Sequence, residues 1–216
     1  MDEAVTRSGL RTPKAAAIAG IVFSVLLIII FGLLRRALPV DPLEPGTWIE
    51  ASGKTIAIAL NLFPFAGIAF LWFLGALRDR LGNQEDRFFA TVFFGSALMF
   101  LAMLLAGAAI LGALVLSYEA RPDLFVNSST FFFARAITYV IMNVYAMKMA
   151  AVFMISTSTI VIYTRIAPRW IAVLGYALAL ILLLGSYLIS WSVMVLPIWV
   201  FLISLCILMD NIRRSR

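Results

Sequence analysis

The chain contains no histidine and only one cysteine, Cys206. An intrachain disulfide is therefore impossible, and metal centres built from His and Cys are excluded. Charge is scarce as well: 13% of residues are charged and 63% hydrophobic, where soluble domains run at about 25% and 45–50%. No Asp or Glu falls within the core of any long apolar run, so paired-carboxylate and metal-assisted chemistry lack their acids and ligands there. No cofactor or metal site is expected. Cys206, in the last apolar run, reads as a small buried apolar residue.

What the chain has in abundance is long apolar runs, at roughly 15–34, 51–77, 88–117, 131–163, 169–191 and 193–209. At ~1.5 Å per residue each is long enough to cross a ~30 Å hydrocarbon core, the last only just. The pattern predicts an all-α, polytopic transmembrane bundle of six spans, with residues 1–216 forming a single integral membrane domain. The third and fourth runs exceed the minimum and must tilt or project into the headgroups. The fifth and sixth meet at about Trp191-Ser192 and can form one helical hairpin, with Pro197 in the first turns of the sixth helix, where a missing N–H is cheap. The first run follows a basic tail, as a signal peptide would. Its 20 apolar residues, closed by Arg35 and Arg36 with no small-x-small cleavage site before them, read as a retained anchor.

Basic residues set the expected orientation. One side of the membrane receives Arg7, Arg11 and Lys14, then Arg78, Arg80 and Arg87, then Arg165 and Arg169, and finally Arg213, Arg214 and Arg216; the other receives Arg35, Arg36 and Arg121. The bias places both termini in the cytoplasm, N-in and C-in, in an inner (plasma) membrane. The net charge of +6 then serves topology and anionic lipid headgroups. Nucleic acid is not an expected partner, because no basic-aromatic patch of the required kind is present. Trp48 and Trp191 fall near the outer interface and Trp170 near the inner one, as an aromatic belt requires. The first outer loop is proline-rich and acidic, with Pro39, Pro42 and Pro45 beside Asp41 and Glu44.

Polar residues inside the spans are the candidate ligand-binding groups, since intramembrane charge is costly. In span two, Glu50, Lys54 and Asn61 share one helical face, and Pro64 beyond them frees the carbonyl of Leu60 and permits a kink. In span four, Arg135, Tyr139 and Asn143 lie within about 80° of one another at ~100° per residue. Both stripes run from the outer surface to mid-span, and together they would line an outward-open pocket between helices two and four. The alternative is local: Glu50 and Lys54 at the headgroups, Arg135 snorkelling outward, and Asn61 and Asn143 bonding between helices as packing contacts. Lys148 falls on another face, roughly 140° from Arg135, beside Tyr145, Ser156 and Thr159. It lies at mid-membrane if the run is centred there. If Ser156–Thr159 sits at the inner headgroups, it is only ~12 Å deep and can snorkel.

Three further patterns bear on packing and motif assignment. Gly95, Ala102, Ala106, Ala109 and Ala113 form a small-residue seam on span three. Packing inside the bundle is the expected use of such a seam, and contact between copies of the chain, a homo-oligomer, is the alternative. Ser52-Gly53-Lys54-Thr55 imitates the end of a phosphate-binding loop, but Trp48 stands where that motif needs its first glycine and no strand precedes it. Asn127-Ser128-Ser129 is a formal glycosylation sequon whose hydroxyls are better placed to cap span four.

The stretch Gly75-Ala76-Leu77-Arg78-Asp79-Arg80-Leu81-Gly82 resembles the loop between helices two and three of major facilitator transporters. Asn83 and Gln84 replace that family's trailing basic residues, and the six spans equal one half of such a transporter. The resemblance implies cytoplasmic gating contacts for Asp79 and Arg80. In size, topology and basic loops the whole chain resembles small six-span bacterial inner-membrane proteins, a likeness that carries no catalytic residues. The expected function is non-enzymatic: a small transporter, or an accessory subunit with a membrane-protein partner. The alternative is an intramembrane enzyme acting on lipid, with Lys148 paired to a serine such as Ser186 or Ser190.

Overall fold

A computed structural model of the chain describes residues 12–81, 87–120, 122, 128–164, 167–186 and 191–214. These residues are helical apart from short connections, and no strand occurs among them. The helices are α1 (Thr12–Ala37), α2 (Trp48–Leu81), α3 (Arg87–Ala120), α4, α5 (Arg169–Gly185) and α6 (Val195–Arg214). The fourth is composite: α-helical over Ser129–Tyr139, π-helical over Val140–Tyr145 and α-helical again over Ala146–Thr164. Backbone polar groups have no water to bond in a bilayer, which is why apolar runs of this length close their bonds internally as helices.

Among the described residues five segments are long and apolar enough to cross a membrane: Ala15–Ala37, Trp48–Arg78, Ala90–Ala120, Ser129–Thr164 and Ser192–Met209. Of the fifth expected span, 169–191, the described helix is the 17 residues of α5, about 25 Å at 1.5 Å per residue, and residues 187–190 lie outside the described residues. Ser128 caps α4 by accepting the Phe131 N–H at 3.1 Å, as its position before an apolar run implies. One 3-10 turn, Ser192–Met194, leads into α6, and Pro197 sits in that helix's first turn, where no intrahelical bond is lost. Pro64 lies within α2, and the helix continues past it to Leu81.

Successive helices pack as neighbours, α1 on α2 through to α5 on α6, and α6 returns to α1 and also touches α4. Inside this circuit, at the end remote from the first loop, lies an aromatic cluster. Phe70 of α2 packs on Phe23 of α1 at 4.5 Å, Phe100 of α3 at 5.7 Å and Phe153 of α4 at 5.6 Å. Phe93 adds a ring 5.3 Å from Phe153, and all five side chains are buried.

Two contacts depend on glycine. At Gly20 a Cβ would collide with Ser204 of α6 and the Phe73 ring; the bare backbone lets α1, α2 and α6 close up. At Gly175 a Cβ would meet Ser158 of α4 and Trp199 of α6, whose indole N–H donates to the Ile171 carbonyl at 3.2 Å.

The small-residue seam of α3 is not used inside the bundle. Gly95, Ala102, Ala106, Ala109 and Ala113 are all exposed, while Phe93, Ala97, Phe100, Leu104 and Leu111 on the opposite side are buried. Lipid and protein interior are equally apolar, so hydrophobicity does not mark the inward face of a membrane helix. Here large aromatic and aliphatic side chains supply the dispersion contacts. The seam's expected role within the bundle is thereby corrected.

Candidate functional site

Arg135 anchors the site. It lies on the second turn of α4 and only 3% of its surface is exposed. One terminal nitrogen donates to the Pro39 carbonyl of the first loop at 3.1 Å, and the guanidinium stands 5.6 Å from the Trp48 ring. Its Nε, also buried, has no hydrogen-bond partner among the described residues.

The first loop is shaped to meet α4. Asp41 turns its carboxylate back on its own segment, where Oδ1 accepts the Leu43 N–H at 2.8 Å, a local bond typical of Asp in turns. Gly46 leaves room for the Phe131 ring, which a Cβ would strike at 2.8 Å. Asp41 and Glu44 are near enough to act on Arg135 electrostatically, but both are exposed and neither forms an ion pair with it.

Beside Arg135 lies a cavity of about 110 Å³. Arg135, Thr138, Tyr139, Met142 and Asn143 of α4 form one wall. Phe31, Leu34 and Arg35 of α1 with Leu38, Pro39 and Val40 of the loop form the second, and Ser186 and Val193 from the α5–α6 connection complete it. The cavity reaches the surface beside Val40, which is 75% exposed. Arg35 is held over the Trp191 ring at 4.4 Å. The lining thus includes two arginines, a tyrosine, an asparagine, a threonine and a serine, and no carboxylate among the described residues.

The π-helical segment borders this space. Its closing bond runs from the Ala146 N–H to the Ile141 carbonyl, five residues back, so each turn holds an extra residue and the following helix is rotated by roughly 100° from simple α phasing. Met142 from this segment packs against Gly107 of α3, where there is no room for a Cβ. Asn143 donates to the Tyr139 carbonyl at 3.1 Å.

The structure therefore gathers Arg135, Tyr139 and Asn143 but separates them from the other expected residues. Lys54 and Asn61 are exposed on the side of α2 that faces away from its buried row Ile56, Ala59, Phe63 and Phe70, and Asn61 bonds to the Ala57 carbonyl of its own helix at 2.9 Å. The cavity lies against α1 and the α5–α6 connection, which corrects the expected placement between helices two and four. Lys148 is half-buried beside exposed Tyr145 and does not line the cavity; among the described residues it makes no hydrogen bond or ion pair. Ser156, Thr157 and Ser158 are buried, and Thr159 meets Tyr176 of α5 at 2.7 Å, so this polar run lies in a helix contact. Ser186 is on the cavity wall, which Lys148 does not line, while Ser190, residues 82–86 and the side chains of Asp79 and Arg80 lie outside the described residues.

Arg35, Thr138 and Ser186 are the polar wall residues that periodicity did not single out. Arg35 in particular carries the signature of a helix-end topology residue. Comparison with family models, curated proteins and solved structures finds no match for this chain.

Proposed function

We propose that the protein is a non-enzymatic, solute-binding membrane protein, a small transporter or the ligand-binding accessory subunit of a larger membrane assembly. The observation that carries this reading is the one-sided cavity. It opens at the first-loop end, and the aromatic cluster of Phe23, Phe70, Phe93, Phe100 and Phe153 fills the bundle beyond it. Phe23 lies about 18 Å along α1 from Arg35, at ~1.5 Å per residue. A site open at one end over a packed seal suits capture from one side.

At about 110 Å³ the space is smaller than the ~300–1,000 Å³ of drug-sized sites, yet it is many times the ~10–15 Å³ that one water needs. It suits a small solute or the headgroup of a larger molecule. By the distribution of Arg and Lys, the opening faces away from the cytoplasm and the termini lie inside an inner membrane. Among the described residues the wall holds hydroxyls and guanidinium groups but no carboxylate, histidine or cysteine to act as acid, base or metal ligand, which favours binding over catalysis.

Reconstitution into sealed liposomes tests the reading. Transport predicts solute flux that Asn143→Ala abolishes while the protein still inserts. An accessory role predicts no flux by the protein alone and co-purification with a partner. Hydrolysis of lipid by the purified protein, lost on mutation of Ser186, would sink the non-enzymatic assignment.

A further inference from the structure

We infer that the cavity is an oxyanion site that takes a phosphate-class group, presented free in solution or as the headgroup of an anionic lipid. The inference rests on reading the cavity as a ligand pocket and names what enters it. Its basis is the state of Arg135. A buried guanidinium normally meets a carboxylate or has its donors saturated, because an uncompensated buried charge is strongly unfavourable. Arg135 is 3% exposed and gives one bond to the Pro39 carbonyl; among the described residues it forms no ion pair and its buried Nε has no partner.

The rest of the wall continues the same chemistry. Arg35 brings a second permanent cation to the cavity and is steadied over the Trp191 ring. The Tyr139 and Ser186 hydroxyls add groups able to donate, and none of the described lining residues is anionic. Asp41, the nearest acid in sequence to the wall, is engaged with Leu43 in its own turn. Forked guanidinium donors match the oxygens of phosphate, whereas a cation would meet two guanidinium groups on the wall, with Asp41 and Glu44 exposed outside it. The small volume accepts the oxyanion and leaves any acyl chains or larger remainder outside, through the opening at Val40.

Ser186, 4% exposed on the wall, supplies the probe position. In a Cys206→Ser background, Ser186→Cys carries the chain's one thiol. The protein, in phosphatidylcholine nanodiscs, is treated with two small methanethiosulfonates of opposite charge, the sulfonatoethyl anion and the trimethylammonium-ethyl cation. The anion is expected to react at least roughly tenfold faster, relative to an exposed Thr47→Cys control, since one charged hydrogen bond alone is worth about that factor. Arg35→Gln and Arg135→Gln should each erode the ratio; the first keeps the bond to Pro39 and so guards against simple loss of fold. Millimolar inorganic phosphate should protect the thiol if the anion is free. Nanodiscs containing phosphatidylglycerol should protect it without added phosphate if the anion is a lipid headgroup. Equal rates for the two reagents, with no protection in either arm, overturn the oxyanion assignment while leaving a solvent-accessible pocket. No reaction with either reagent removes the pocket itself, and the assignment with it.

Discussion

Arg135 donates to the main-chain carbonyl of Pro39 across 3.1 Å, so one side chain both lines the cavity and ties the first loop to α4. Replacing it with leucine should release the loop. Hydrogen bonds from charged donors contribute about 1.5–3 kcal/mol, and roughly 1.4 kcal/mol corresponds to a factor of ten. Amide exchange at Leu43, whose N–H is held within this loop, is expected to accelerate by about tenfold or more. Arg135→Lys should recover little, because a single ammonium cannot reach the carbonyl, face Trp48 and present a donor to the cavity together. Unchanged exchange in both variants would mean the loop is held by Phe131 and Trp48 alone.

Gly175 admits both Ser158 and Trp199 to the surface of α5. Gly175→Ala should therefore destabilise the bundle by about 1–3 kcal/mol through overpacking, read as a lower unfolding midpoint in detergent. Gly95→Ala is the matched control, because nothing lies within 4 Å of a Cβ there. It should be neutral or slightly stabilising, since alanine is the better helix former. Equal effects at the two positions would remove the three-helix contact as the cause.

The aromatic cluster closes the bundle beyond the cavity. Phe70→Ala deletes the ring shared by Phe23, Phe100 and Phe153, and a buried Phe→Ala change costs about 3–5 kcal/mol. The variant should unfold at markedly lower temperature and, where it survives in liposomes, leak small ions that the parent excludes. A stable variant without leak would argue that the seal lies elsewhere.

Lys148, which the sequence places at mid-membrane or within snorkelling reach of the inner headgroups, does not line the cavity. It is half-buried, off the cavity and without a polar partner among the described residues. Lys148→Met should insert at least as well as the parent and leave cavity labelling at Ser186→Cys unaltered. A charge at the bilayer centre costs ~2.5–3.5 kcal/mol on insertion scales, so the substitution is expected to be neutral or stabilising. Loss of labelling or of solute flux would restore Lys148 as a site residue.

How far the sequence reveals the structure depends on the range of the interaction. Ser128 is legible as a cap because its partner is three residues away. Arg135, Tyr139 and Asn143 are legible as one group because a single helix carries them. Their opposite wall is not. Lys54 and Asn61 form an equally regular stripe on α2 yet turn outward, since a lysine near a helix end can snorkel and Asn61 satisfies its amide on the Ala57 carbonyl of its own helix. Arg35 joins the site only through tertiary contact between the end of α1 and the α5–α6 connection. The exposed seam of α3 follows the same logic, because close packing there was decided by the bulky residues opposite.

The π-helical segment is the feature with no sequence signal at all, and it gives the sharpest test of the site. Val140–Tyr145 holds one residue more than α phasing allows, between Arg135 at the cavity and the buried Ala146, Met147 and Ala150. Deleting Ile141 should let the stretch relax to an α-helix while Arg135 and Ala146 keep their faces. The packed halves on either side would be preserved, so the unfolding midpoint should change little. The cavity wall would not be preserved: Met142 would leave Gly107 and Asn143 would lose its place beside Tyr139. The expected result is a folded protein whose Ser186→Cys thiol no longer discriminates between anionic and cationic reagents. If the shortened protein keeps that discrimination, the π segment is a packing accommodation alone. If it fails to fold, the extra residue is required for α4 to meet α3, and the segment's role is structural before it is functional.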